Sequence, residues 1–232
     1  MRRNARTDRR SSQALPARFS PIEIGGLEAW YRETYAAGTW SDLSGKGRHL
    51  TQGVAGARPT QVSRAGQLAL SFDGGDHLTG PFGAVLVQPT TVYAIWEATS
   101  VATSQVIIDG DDATNRIFFY IAGGSTVRMG ATTEVAGGVP NASQIYATSI
   151  VANGASSALY GRSDFVTPGG SGAGGTAALD GLVVGARNTD FGLKFTGYVW
   201  EVLVYSGAHS TATRKRVGDY FTGRYSGLTV TT

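Results

Sequence analysis

The 232-residue chain contains no cysteine. Disulfides and thiolate metal sites are therefore excluded, and the fold must be held by packing and hydrogen bonds. A chain without cysteine also suits synthesis and assembly in a reducing compartment. Charge is scarce, with Asp, Glu, Lys and Arg making up 16% of the residues. No stretch approaches the ~18 apolar residues that a membrane-spanning helix needs. Met1 to Arg10 is charged and no apolar run follows it, so no secretory signal is expected. The three histidines, His49, His77 and His209, do not pair at helical spacing, and no zinc site is expected. Walker and dinucleotide fingerprints are missing. Gly169-Gly170-Ser171-Gly172 lacks the strand-to-helix context of a nucleophilic serine elbow.

Glycine is abundant, at 33 residues, and Thr, Val and Ala are frequent. That mixture suits short strands joined by tight turns. The length falls within the range of a single all-β sandwich, up to ~250 residues. The charge is unevenly spread. Arg2, Arg3, Arg6, Arg9, Arg10 and Arg18 stand against Asp8 alone in residues 1–18, a balance of +5. The other 14 basic and 16 acidic residues leave −2 for residues 19–232. Residues 1–18 lack apolar periodicity and read as a basic N-terminal arm, with one domain over 19–232.

From Phe19 onward the chain reads as strands. Ile22 to Tyr31, Trp40 to Leu43, the apolar run Leu68 to Phe72, Thr90 to Trp96, rich in β-branched and aromatic residues, Val106 to Ile108, Arg116 to Ile121 and Thr126 to Met129 are read as strands. Tyr146 to Val151 and Ser157 to Tyr160 flank Asn153-Gly154, a hairpin signal. Pro168 to Gly175 reads as a loop. Leu182 to Val184 and Tyr198 to Tyr205 complete the set. Ser210 can cap one helix in which Val217, Tyr220 and Phe221 repeat at i, i+3 and i+4. That helix is expected to close one edge of the sandwich, with Arg214, Lys215 and Arg216 on a solvated side.

Several segments resemble concanavalin A-like, laminin G-like jelly rolls. They are Leu27-Glu28-Ala29-Trp30-Tyr31, Trp40-Ser41-Asp42-Leu43-Ser44-Gly45, Arg58-Pro59 and Phe72-Asp73-Gly74-Gly75-Asp76-His77-Leu78. The closing run Phe195 to Tyr205, with the helix and Tyr220-Phe221 behind it, resembles the end of such domains. The resemblance implies an all-β, two-sheet antiparallel jelly-roll sandwich with a short C-terminal helix and an extended N-terminal arm. Trp30 and Trp40 would fill the space between the sheets. Asp42 with Ser44 and Gly45, and Asp73 with Asp76, would brace turns. Glu201 would be an outward strand residue.

Hydrolases of this jelly-roll type carry a Glu-x-Asp-x-x-Glu strand. None of Glu23, Glu28, Glu33, Glu97, Glu134 and Glu201 sits two residues before an Asp, so a non-enzymatic protein with no catalytic residues is expected. The acidic loop Asp109 to Asn115 could hold calcium, but it fails the EF-hand pattern, so no cofactor or metal is assigned. The resemblance, the missing catalytic pair and the basic arm point to a structural protein of a tailed-phage virion. In that reading it is a capsid decoration or cement protein, present in many copies. The arm, through Arg2, Arg3, Arg6, Arg9, Arg10 and Arg18, would bind the major capsid protein or other virion subunits. The alternative is a carbohydrate-binding module that recognises a surface glycan, with Tyr31, Tyr35, Trp96 and Trp200 as candidate stacking residues.

Overall fold

Hydrophobic strands that alternate over two faces can bury both only between layers, and this chain builds those layers from two sheets and a helix. The computed structural model describes residues 19–124, 126–161 and 165–225. The strands begin with β1 (Leu27–Tyr31), β2 (Tyr35–Ala36), β3 (Thr39–Trp40), β4 (Leu50–Thr51), β5 (Thr60–Arg64) and β6 (Gln67–Asp73). They continue with β7 (Leu78–Leu86), β8 (Thr90–Ala98), β9 (Gln105–Asp109), β10 (Phe118–Ile121), β11 (Val127–Gly130) and β12 (Glu134–Ala136). The last are β13 (Tyr146–Ala152), β14 (Ser157–Tyr160), β15 (Gly170–Gly172), β16 (Leu179–Val184) and β17 (Thr196–Ser206), before the helix α1 (Thr211–Arg224).

The first sheet runs β15-β14-β13-β8-β17-β6-β5, with β1 also paired to β17. The second runs β12-β11-β10-β9-β16-β7-β4-β3-β2. Neighbouring strands are antiparallel, as in β17 against β8 and β16 against β7. The all-β, two-sheet antiparallel sandwich with a C-terminal helix is what the sequence predicts.

The chain has two cores. Trp40, Phe72, Trp96, Phe119, Phe195 and Val202 lie in the one between the sheets. Tyr93, Trp200, Leu203 and Tyr205 leave the opposite face of the first sheet and meet Val217 and Phe221 of α1. β8 is buried along its whole length because Val92, Ala94 and Trp96 enter one core while Tyr93 and Ile95 enter the other. Residues buried on both faces read as an unbroken apolar run, as this strand does. The helix therefore covers a sheet face, where an edge was expected. Its cap is as predicted, with Ser210 Oγ accepting from the Thr213 N–H at 3.2 Å.

Four other expectations change. Trp30 packs beneath α1, not between the sheets. Pro21–Glu23 is a 3-10 turn, and strand structure starts at Leu27. Gly170–Gly172, expected in a loop, is an edge strand paired to β14. A Cβ on Gly170 would sit 1.8 Å from the Ala136 carbonyl oxygen, so glycine is required for that approach. Arg214 is buried: it donates to the Phe165 and His209 carbonyls at 3.0 and 2.6 Å and lies 4.0 Å from the Tyr160 ring centre. The β13–β14 hairpin forms as expected, although a 3-10 turn, Gly154–Ser156, joins the strands.

A bulge directs the central polar contact. Across β17 and β8 the register slips between Val199 and Glu201, so Trp200 and Glu201 both leave the sheet on the α1 side. Glu201, expected to face outward, is instead fully buried there. Its carboxylate accepts from Trp30 Nε1 at 2.6 Å, Tyr220 Oη at 2.8 Å and Tyr225 Oη at 2.6 Å. Arg224 Nε lies 3.9 Å away. Burial raises its pKa, against the lowering effect of those hydrogen bonds and the arginine. Replacing Glu201 by Ala strands two buried donors and one half-buried donor and is expected to cost about 3 kcal/mol. Chemical denaturation of the variant measures it.

His209 is a second buried polar group. Tyr93 Oη is 2.7 Å from its Nδ1, and Arg214 holds its carbonyl. Burial, then the Arg214 charge, lowers its pKa from 6.5 to about 4. The unfolded chain takes up that proton first. Its contribution is complete above pH 6.5 and is lost as the pH falls towards 4. The full loss is of the order of 3 kcal/mol. Urea unfolding of the wild type and His209→Gln at about pH 7 and about pH 4.5 tests this, the variant having the flatter profile.

Candidate functional site

The helix covers the outer face of the first sheet, whereas the outer face of the second sheet carries no helix among the described residues. Strand alternation decides what stands there. Phe119 and Ile121 of β10 enter the core, so Phe118 and Tyr120 face outward, and both are half-buried. Their ring centres are 5.9 Å apart with planes at 53°. On β11, Val127 and Met129 point in and Arg128 points out.

Polar groups frame these rings. Glu134 of β12 accepts from Tyr120 Oη at 2.8 Å and from Arg128 Nη1 at 2.7 Å. Burial, then this carboxylate, raises the Tyr120 pKa, so the phenol keeps its proton. The Arg116 guanidinium lies 4.9 Å from the Phe118 ring centre. It is held there by Asp109, which accepts from Nε at 2.9 Å and Nη2 at 2.5 Å. The two aromatic surfaces are thus flanked by a fixed phenol, a carboxylate and two guanidiniums. Apolar ring faces beside ordered donors and acceptors can stack on a ring-shaped polar ligand and orient its hydroxyls.

A carboxylate network continues from Asp109 towards β16 and β7. The Asn188 N–H donates to Asp109 at 3.1 Å, and the Asn188 amide donates to the Asp112 carbonyl. Thr79 Oγ1 donates to Asp111. Asp112 accepts the N–H groups of Thr114 and Asn115, which hold its pKa at about 2. Asp180 of β16 is pushed up to about 6, first by burial and then by the Asp112 carboxylate beside it. Asp180 Oδ1 and Asn188 Oδ1 are buried and accept no hydrogen bond among the described residues. Two carboxyls with pKa values driven apart can divide the roles of proton donor and proton acceptor.

The predicted residues fall as follows. Arg2, Arg3, Arg6, Arg9, Arg10 and Arg18 lie outside the described residues. Tyr31, Trp96 and Trp200 are buried, with their polar atoms committed to the Arg48 carbonyl, Thr148 and the Arg64 carbonyl, so they present no ring to a sugar. Tyr35, on the edge strand β2, remains half-buried. In the proposed calcium loop, Asp109 is taken by Arg116 and Asp112 by backbone N–H groups. The described residues contain no group of three acidic, His or Cys side chains placed for a metal. Asp42 braces its turn as expected, accepting from Ser44 N at 2.8 Å, and Asp73 and Asp76 brace theirs. Sequence reasoning missed Phe118, Tyr120 and Asp180. The alternation in Phe118-Phe119-Tyr120-Ile121 carried the signal for the first two.

No protein-family model matches this chain. Curated proteins give no match either. The fold is similar to solved structures. Domain 4 of AbnA, a GH43 extracellular arabinanase from Geobacillus stearothermophilus, in complex with arabinotriose, has a TM-score of 0.63 at 16% identity. That match covers 83% of this chain and 98% of that one. Trypanosoma rangeli sialidase in complex with sialic acid gives 0.61 at 13%, over 89% of this chain and 34% of that one. A GH54 α-L-arabinofuranosidase mutant gives 0.61 at 16%, over 83% and 51%. The chain thus spans about a third of the sialidase and half of the arabinofuranosidase. At this identity the likeness is one of fold, a two-sheet sandwich of the kind found in carbohydrate-active proteins.

The expectation of a non-enzymatic protein is overturned. The proteins that this chain resembles in fold are glycoside hydrolases: an arabinanase, a sialidase and an arabinofuranosidase. The exclusion rested on one motif whose carboxylates share a strand. Asp112 and Asp180 meet from a loop and a strand well separated in sequence, a pairing that no single-strand motif can detect.

Asp180 offers a direct test. Its folded pKa of about 6 exceeds the ordinary 3.8, so the folded state loses stability as the pH rises from 3.8 through 6. Asp180→Asn removes that penalty. The variant is expected to melt higher than wild type at about pH 8, and the difference is expected to vanish near pH 3.5. Thermal melts at the two pH values check this.

Proposed function

We propose that this chain is a carbohydrate-binding β-sandwich of a glycan-processing protein, and that saccharide lies across the open face of the second sheet. Phe118 and Tyr120 carry this reading, as two adjacent half-exposed rings on the sheet face that no helix covers. Arg128 and Glu134 would address sugar hydroxyls beside them. The fold likeness to Domain 4 of AbnA, whose structure is a complex with arabinotriose, supports the same ligand class. The virion-anchoring reading rests on residues 1–18, outside the described residues, and no observation favours it.

Calorimetric titration with arabinotriose, followed by a glycan array, tests the proposal. Tyr120→Ala and Phe118→Ala are each expected to weaken binding roughly tenfold, the value of one aromatic stacking contact. Tyr120→Phe keeps the ring and is expected to lose far less. Saccharide binding that survives both alanine substitutions, or no binding to any glycan, defeats the assignment.

A further inference from the structure

A cleft of about 850 Å3 opens between the end of β1 and α1, at a place distinct from the open sheet face. Ligand sites commonly run from about 300 to 1,000 Å3. Its walls include Phe19, Trp30, Tyr220 and three arginines, Arg32, Arg216 and Arg224, against a single acidic lining residue, Asp219. Lys215 holds Asp219 at 2.8 Å, so among the lining residues Arg32 and Arg216 carry positive charge that Asp219 does not answer. We propose that this cleft is a second ligand site, for a small carboxylate-bearing ligand of monosaccharide size.

Two of the guanidiniums are stacked on aromatic rings. Arg32 lies 4.5 Å from the Trp30 ring centre, and Arg216 lies 4.6 Å from that of Phe19. Stacking occupies the flat face of a guanidinium and leaves its in-plane N–H edge for a carboxylate. Arg224 is already paired, its Nη2 donating to Glu33, but the acids around the cleft do not fill the edges of Arg32 and Arg216. Glu33 is 3.8 Å from Arg32 Nε and Glu23 is 3.8 Å from Arg216, both beyond hydrogen-bonding range. Arg32 Nε and Arg224 Nε are buried, and neither has a hydrogen-bond acceptor among the described residues. Glu201, beneath the cleft, already accepts from Trp30, Tyr220 and Tyr225. Tyr220 is itself fixed by Arg32 Nη1 at 3.2 Å, so the donors are held in place. Rings beside guanidinium edges suit a ligand that joins a compact ring to a carboxylate. A neutral sugar would leave the buried N–H groups facing only hydroxyls.

The test is tryptophan fluorescence of the full chain titrated with D-galacturonate, D-galactose and inorganic phosphate, Trp30 being the reporter. Galacturonate is expected to give a saturable change that the other two do not. Arg32→Gln is expected to weaken it roughly tenfold, the loss of one charged hydrogen bond. Arg216→Gln changes an exposed side chain, so folding is kept, and a loss of about threefold is expected from one partly screened charge. Tyr120→Ala is expected to leave galacturonate binding intact, which separates this cleft from the open sheet face. No saturable response to galacturonate overturns the proposal. So does an equal response to galactose or phosphate, or binding that both arginine variants retain.

Discussion

Glu201 is a carboxylate buried at the meeting point of β17, β1 and α1, and the arrangement of the whole sandwich follows from how it is satisfied. Burying a carboxylate costs several kcal/mol unless hydrogen bonds answer it. Trp30 Nε1 answers from β1, Tyr220 Oη from α1, and Tyr225 Oη from just beyond the helix. Glu201 of β17 thus ties β1 to α1 and to the residue that follows the helix. The contact is specific in a way that apolar packing is not, since Val217 and Phe221 could be buried in several registers of the helix. Fixing α1 on this face leaves the second sheet as the uncovered one.

That asymmetry shapes the candidate sites. β8 and β17 give up both faces to packing, so the first sheet has no free face at its centre. The second sheet packs only inward, and the residues alternating outward from β10 and β11 remain half-exposed. Aromatic side chains there would cost solubility if they had no use. Their ordered neighbours, Glu134, Arg128 and Arg116, occur where polar groups are needed to orient a ligand. The cleft beside α1 arises from the same layout, because the helix leaves a gap between its last turns and the end of β1.

The carboxylates divide into two kinds. Asp42, Asp73 and Asp76 hold turns together, each accepting from a nearby backbone N–H group. Asp109 is buried and neutralised by Arg116. Asp112 and Asp180 differ, because they lie beside each other and their pKa values are driven apart, to about 2 and about 6. Two acids this close carry an electrostatic cost, which is what drives their pKa values apart.

The sequence by itself determined the all-β class, most of the strands, the Ser210-capped helix and the turns braced by Asp42 and Asp73. Each of these depends on local chemistry: β-branched and aromatic runs, a capping hydroxyl, or a carboxylate two or three residues from the N–H it accepts. The tertiary structure alone decided which aromatic residues were free. Tyr31, Trp96 and Trp200 are the same residue types as Phe118 and Tyr120 or close to them, yet the first three fill cores and the last two face out. It also decided the place of Arg214, which sits on the helix beside Lys215 but is drawn inward by the Phe165 and His209 carbonyls. Glu201 shows the reason most clearly. A one-residue bulge turns it towards α1, and its partners come from 171 residues before it and from 19 and 24 residues after it. Burial is a property of what folds over a residue, and no local pattern encodes what arrives from that distance.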